Sequence, residues 1–180
     1  MNHFDKYYED IAACIRSIGG ESKLYEQAIS LIENVKNNGR KIIIVGNGGS
    51  ASIASHVSVD FVKAAGIRAI NFNESNLITC FSNDYGYEHW VAEALSAYAD
   101  AGDLVMLISS SGKSMNIINA ATTARKMDLS IITFSGFKHD NSLSKMGDVN
   151  FWADSSTYNV IEMTHHVWLL ALVDKFAIQK

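Results

Sequence analysis

The sequence predicts an α/β three-layer sandwich: a mainly parallel five-stranded sheet with helices on both faces, preceded by an N-terminal helical hairpin. Three observations predict it. β-Branched apolar runs such as Lys41-Ile42-Ile43-Ile44-Val45 alternate with stretches whose apolar residues recur at helical spacing. Two of these runs pass directly into Gly/Ser-rich turns, residues 46–50 and 109–114, and each turn opens a helix. Such alternation calls for right-handed crossovers and parallel strands. With 180 residues, 48% of them hydrophobic, the chain can bury a full core and reads as one domain over 1–180. Residues 1–39 form the hairpin, 40–155 the α/β core and 156–180 a C-terminal helix.

Each element has its own signal. Phe4, Tyr7, Tyr8, Ile11, Ala12, Ile15 and Ile18 give a first helix over 3–18, ended by Gly19-Gly20. A second, from Glu21 to Asn37, carries Leu24, Ala28, Leu31, Ile32 and Val35. The aromatic first helix has little to pack on in a small sheet, so it is read as covering a subunit contact or its own sheet. Strand 41–45 leads through the glycine turn into a helix, and residues 67–72 form a second short strand. Asn73 to Asn76 read as a turn, 77–81 as a short apolar segment, 82–88 as a polar loop and 88–99 as a helix. Strand 103–108 runs into the serine turn and a helix over 115–126. Strands 129–134 and 148–152 follow, and Ser156 or Thr157 opens a last helix to about Lys175. Trp168, Leu169, Leu170, Leu172 and Val173 make that helix strongly apolar, suited to an oligomer core.

Composition excludes several classes. The formal net charge is −4 and Lys and Arg are scattered, so nucleic acid is not expected as a direct ligand. The apolar runs are too short for a bilayer, and the charged N-terminus lacks a signal-peptide core, so no membrane is expected. Cys14 and Cys80 fit no metal or redox spacing and read as buried thiols of a cytoplasmic protein.

The two turns carry the chemistry. A strand, a glycine turn and a helix start make an anion site, because the backbone can approach a ligand and free N–H groups point at it. In the first turn Ser50 can cap the helix or bond a phosphate. In the second, Ser109, Ser110, Ser111 and Ser114 surround Gly112 at a helix N-terminus, which suits a phosphate monoester; an ordinary Ser-rich turn is the bland alternative. Two nucleotide motifs fail. A P-loop needs a glycine five residues before Gly112, where Leu107 stands. The spacing of 46–51 fits a dinucleotide fingerprint, but Glu74 is the only acid near the ribose position, so no nucleotide cofactor is expected.

GNGGSA at 46–51, ND-Y-G-Y at 83–87 and ISSSGKS at 108–114 together resemble the sugar isomerase (SIS) domain family, with its flavodoxin-like fold. Within it the chain looks most like the phosphoheptose isomerases, which convert sedoheptulose 7-phosphate to a glycero-manno-heptose 7-phosphate for surface polysaccharide. The resemblance covers nearly the whole chain. It implies that Ser109, Ser110, Ser111 and Ser114 hold the phosphate, that Asn47, Gly48 and Ser50 touch substrate, and that Asp84 lines the pocket. It also implies a homotetramer, or a dimer, with shared active sites. The family's first helix carries His and then Glu four residues on; here these are His56 and Asp60. Its last helix carries Gln-x-x-His and a further His. Glu162-Met163-Thr164-His165 fits the first part, but Leu170, or Leu169 in a register shifted by one, stands where that later His belongs. In the family that His is a zinc ligand and the presumed general acid.

The residues present can be read directly. Glu162, His165 and His166 lie at i, i+3 and i+4, so one helix face offers a carboxylate and an imidazole. If that face meets His56 and Asp60, the set His56, Asp60, Glu162 and His166 has the composition of a Zn²⁺ or other divalent site. The alternatives are a dipole-favoured Glu and histidines satisfied by packing. Aldose–ketose isomerisation needs one base over carbon, one acid for the oxygens and a stabilised oxyanion. Asp60 or Glu162 can be the base; His165 or His166 can shuttle the proton. The alternative function is a non-catalytic SIS scaffold that binds a phosphosugar or a protein partner.

Overall fold

The computed structural model describes residues 2–19 and 23–177. The expected helix end at Gly20 and helix start at Glu21 lie outside the described residues. The order is α1 (His3–Arg16), α2 (Lys23–Asn37), β1 (Ile42–Gly46), α3 (Gly49–Lys63), β2 (Ala69–Ile70), α4 (Ser75–Tyr85) and α5 (Trp90–Tyr98). Then come β3 (Leu104–Ser109), α6 (Met115–Lys126), β4 (Ser130–Ser135), a 3₁₀ turn (Leu143–Lys145), β5 (Val149–Trp152) and α7 (Tyr158–Phe176).

All five strands are parallel, in the order β2-β1-β3-β4-β5. Alternate side chains of β1 enter different cores. Ile42 and Ile44 pack with Ile53 and Phe61 of α3, Ile32 of α2 and Trp168 of α7. Ile43 and Val45 pack with Trp90 and Leu95 of α5 and Ile117 of α6. This two-sided burial makes β1 and β3 read as continuous apolar runs rather than alternating ones. Strand order reverses between β1 and β3, and the crevice beyond their carboxyl ends is where ligands of such sheets sit. Both Gly/Ser turns open there.

Several expectations need correction. Residues 75–85 form α4, not a turn, an apolar segment and a loop, because the Glu74 side chain caps it by accepting from the Leu77 N–H at 2.9 Å. The strand expected over 67–72 is reduced to Ala69–Ile70, since it pairs only with Ile42 and Ile43 at the sheet edge. Cys14 is buried, but Cys80 is exposed, on α4, a helix with no buried residue. The apolar last helix is covered by its own chain: Trp168, Leu169, Leu172 and Val173 lie in the core with α1 and α3, and Trp168 Nε1 donates to the Ile15 carbonyl at 2.9 Å. α1 packs on α7, while Phe4 and Tyr8 remain exposed. Among the described residues no helix is long and apolar enough to cross a membrane.

Candidate active site

The glycine turn places its residues through local backbone needs. Gly48 has φ of 53° and is the N-cap of α3, so Ser50 lies inside the helix rather than capping it. Gly46 must lack a side chain, because a Cβ there would meet Ser50. Ser50 is buried and lines a cavity of about 150 Å³ with Asn47, Ile108, Ser109, Ser110, Ser111, Ser114, Tyr158 and Glu162. The cavity therefore joins both turns to the first turns of α7.

The serine turn is held from behind. Gly112 has φ of 64°, and an added Cβ would run into the Asn141 carboxamide. Buried Asn141 donates to Ser135 Oγ at 3.0 Å and to the carbonyls of Gly136 and Lys138, and accepts from the Ser144 N–H. Nothing in the composition of 136–144 marks it as the clamp. Ser109 and Ser114 are linked, Oγ to Oγ, at 3.1 Å. The Ser110 hydroxyl is buried and meets no partner among the described residues, although it lines the cavity. Gly48 has no side chain to cap α3, and the N-cap side chains of α6 and α7 make no capping bond, so among the described residues no side chain caps the three helix N-termini at this end of the sheet. Open N–H groups, positive dipole ends and an unpaired hydroxyl favour an anion with several oxygens.

Glu162 is the base candidate that this cavity contains. Its carboxylate lies against Gly49, where a Cβ would collide with it. Burial pushes its carboxyl above the ordinary glutamate value, toward the range useful for proton transfer at neutral pH. Tyr158, the first residue of α7, lines the same cavity and meets the Phe137 ring edge-on at 4.8 Å. Phe137 is held at a φ of 54°, with its N–H bonded to the Ser155 carbonyl.

The histidines separate. His166 Nε2 lies 2.8 Å from His56 Nδ1, and His56 Nε2 lies 3.1 Å from Asp60 Oδ2, so α3 and α7 are joined by a chain of three side chains. Burial and the neighbouring His56 pull the pKa of His166 down, against the pull of Asp60. His165, expected beside them, is fully buried between Phe134 and Trp168. Its Nε2 donates to the Ser135 carbonyl at 2.9 Å, which leaves Nδ1 without a proton and without a partner among the described residues. Burial lowers its pKa to about 4. It is a neutral core residue. The two adjacent histidines project about 100° apart, so only one can face α3.

The expected metal set assembles only in part: His56, Asp60 and His166 come together, and Glu162 stands apart from them. Among the described residues no three His, Cys, Asp or Glu group so as to hold an ion. The ring nitrogens of His56 that would bind one are turned to His166 and Asp60 instead. Glu162 lies in the serine cavity rather than with them. Asp84, on the last turn of α4, bonds Asn83 and Cys80 and does not line the cavity. Two residues that were not anticipated do reach the site. Asn116 and Tyr87 both bond the Asn47 carboxamide. Tyr87 was visible only as part of a motif, and Asn116 only as a polar residue two places after Ser114 at a helix start.

The model of the SIS domain family matches residues 6–136. The phosphoheptose isomerase of Thermodesulfovibrio yellowstonii is 36% identical over 162 residues, which cover 83% of this chain and 80% of that protein. A solved phosphoheptose isomerase from Francisella tularensis superposes with a TM-score of 0.87 at 26% identity, covering 98% of each chain. One from Neisseria gonorrhoeae shares the fold with a TM-score of 0.88 at 24% identity, over 96% of this chain and 97% of that one.

Proposed function

We propose that this chain, which belongs to the SIS domain family, is a phosphoheptose isomerase converting sedoheptulose 7-phosphate to glycero-manno-heptose 7-phosphate. The single observation that carries the reading is the shared cavity: the Glu162 carboxylate opens into the same space as Ser109, Ser110, Ser111 and Ser114. A phosphate held by these hydroxyls and by the α6 N-terminus anchors the far end of the sugar. Glu162 removes a proton from C1 of the ketose, and the electron pair forms the C1–C2 double bond of an enediolate. The same carboxyl returns the proton to C2, while O2 gains a proton and O1 gives one up, which leaves the aldehyde at C1. Asn47, Gly48 and Ser50, at the α3 N-terminus, would stabilise the oxyanion.

The chain Asp60–His56–His166 would move the proton between the sugar oxygens. Its position one helical turn beyond Glu162 on α7 supports this role. His166 also answers the missing histidine: Leu169 is buried and Leu170 packs against the core, yet α7 still presents one imidazole to α3. We assign His165 a structural role. His56, Asp60 and His166 turn their facing atoms to one another, so as they stand they do not fit a metal ion.

Assembly as a homotetramer is supported by exposed Phe4 and Tyr8 on α1, Val59 and Val62 on α3, and Met163 and Val167 on α7. The unpaired thiols and a phosphorylated substrate support a cytoplasmic place of work. Nuclear magnetic resonance in D₂O with sedoheptulose 7-phosphate tests the reading. Aldose formation with deuterium entering at C2 is expected, and is expected to survive dialysis against a chelator. Saturable binding without exchange would point to the non-catalytic scaffold. Loss on chelation, restored by Zn²⁺, would mean that the two imidazoles part to admit an ion.

A further inference from the structure

Asn116 lies in the first turn of α6 and is only 2% exposed. Its carboxamide pairs with that of Asn47 in both directions. Asn47 Nδ2 donates to Asn116 Oδ1 at 2.9 Å, and Asn116 Nδ2 donates back to Asn47 Oδ1 at 2.8 Å. The Tyr87 hydroxyl donates to the same Asn47 oxygen at 3.2 Å. A carboxamide has two acceptor positions and two N–H groups. At Asn47 both acceptor positions are filled, by Asn116 and Tyr87, and one N–H is used by Asn116. One N–H remains, and the planarity of the group puts it on the edge opposite Tyr87. Asn47 stands in the wall between two cavities. One is lined by Tyr87, Glu88, Met115 and Asn116. The other holds the serines, Tyr158 and Glu162.

We propose that Asn116, with Tyr87 beside it, is a positioning residue: the paired amides hold Asn47 so that its remaining N–H faces an oxygen of the phosphosugar in the Glu162 cavity. The inference rests on the isomerase reading of that cavity. An unrestrained asparagine can rotate and offer either its oxygen or its nitrogen to a ligand. Only the nitrogen attracts a phosphate or an enediolate oxygen. The pair removes the free rotation, and the alternative in which both amides flip together turns an oxygen toward the anion, which opposes it. Asn47 therefore meets the ligand as a donor already in place, with no reorganisation at the moment of reaction.

A coupling cycle on the full chain separates this from a merely structural role. Asn116→Ala is expected to lower kcat/KM roughly tenfold with Asn47 present, and by less than about twofold in the Asn47→Ala background. Tyr87→Phe removes one hydroxyl from an exposed ring, so it tests the same point without a folding risk. Its expected cost is about two- to fivefold with Asn47 present and nothing without it. ¹⁵N NMR reads the lock directly: the two Asn47 side-chain protons are expected to be well separated, and to move to free-carboxamide positions in Asn116→Ala. Equal losses in both backgrounds, or an Asn47 signal unmoved by Asn116→Ala, overturn the proposal. A wild-type chain without turnover sinks the isomerase reading alone. In that case the Asn47 resonances, and the same cycle run on sedoheptulose 7-phosphate affinity, still decide the positioning role.

Discussion

At the amino ends of β1 and β3, Lys41, Asp100 and Asp103 close on one another, whereas at the carboxyl ends Asn47, Ser110 and Glu162 face a cavity. Buried Asp103 accepts from the Lys41 N–H at 3.0 Å and the Asp100 N–H at 2.8 Å, and pairs with the Lys41 ammonium. Desolvation alone would lower the Lys41 pKa, but hydrogen bonds to Asp100 and Asp103 outweigh it and carry the pKa up. Asp100 is held below the usual range by the same lysine. Farther along this edge Asp148 accepts from the Ile131 N–H and pairs with Arg125. The opposite end keeps a buried hydroxyl without a partner among the described residues, three helix N-termini that no side chain there caps and a carboxyl whose charged form burial disfavours. One end satisfies its polar groups within the chain and so holds the fold. The other leaves them for a ligand, which is the usual cost of a working site.

The largest effect that would break this contrast is at Glu162. Glu162→Gln is expected to lower turnover by about 10²- to 10⁴-fold, measured by C2 deuterium exchange. Stability should move the other way. Because the folded pKa is raised, the cost of ionising Glu162 is present above that pKa and disappears as pH falls below the unfolded value. The variant should therefore melt higher than wild type at pH 8, with the gap closing toward pH 4. A variant that is inactive and less stable at pH 8 would contradict the assignment.

Asp103→Ala gives the mirror image. Removing one partner from a buried ion cluster is expected to cost about 3–5 kcal/mol in urea unfolding. KM and kcat of the remaining folded protein should stay at wild-type values; a change in either would mean that the two ends are coupled. Gly112→Ala should affect both quantities, because it strains the φ > 0 position and pushes Asn141 off the serine turn. The expected cost is about 1–3 kcal/mol, together with a raised KM.

The smallest effect sharpens the placing of His165. Its folded pKa of about 4 lies below the ordinary histidine value of 6.5, so the unfolded chain binds a proton that the native chain refuses. Its stability contribution is complete above about pH 6.5 and is lost as pH falls toward 4. His165→Gln, which can still donate to the Ser135 carbonyl, should flatten the fall in melting temperature across that window. An unchanged pH profile would place His165 outside the core.

How much of this was legible varied with sequence distance. The serine turn could be read because strand, turn and helix N-terminus are contiguous, and four hydroxyls around one glycine leave few other uses. The helix at 75–85 was missed because its cap is a glutamate outside the usual Ser, Thr, Asp and Asn set and its polar, glycine-ended last turn resembles a loop. Asn116 carried no signal by itself, since its meaning depends on Asn47, 69 residues away. The two histidines of α7 could not be told apart because that helix is apolar nearly all round, so no periodicity says which one turns inward.

By itself, the sequence determined the alternation of elements, the parallel sheet and the serine turn, because each follows from local backbone preference and from the two faces every strand must bury. Tertiary structure alone decided which side chains meet. Packing α7 parallel to α3 carried Glu162 to Gly49 and His166 to His56, and sent His165 into the core. Those contacts depend on the axial shift and rotation of one packed helix against another. A change of 100°, one residue, exchanges an imidazole that meets His56 for a buried one.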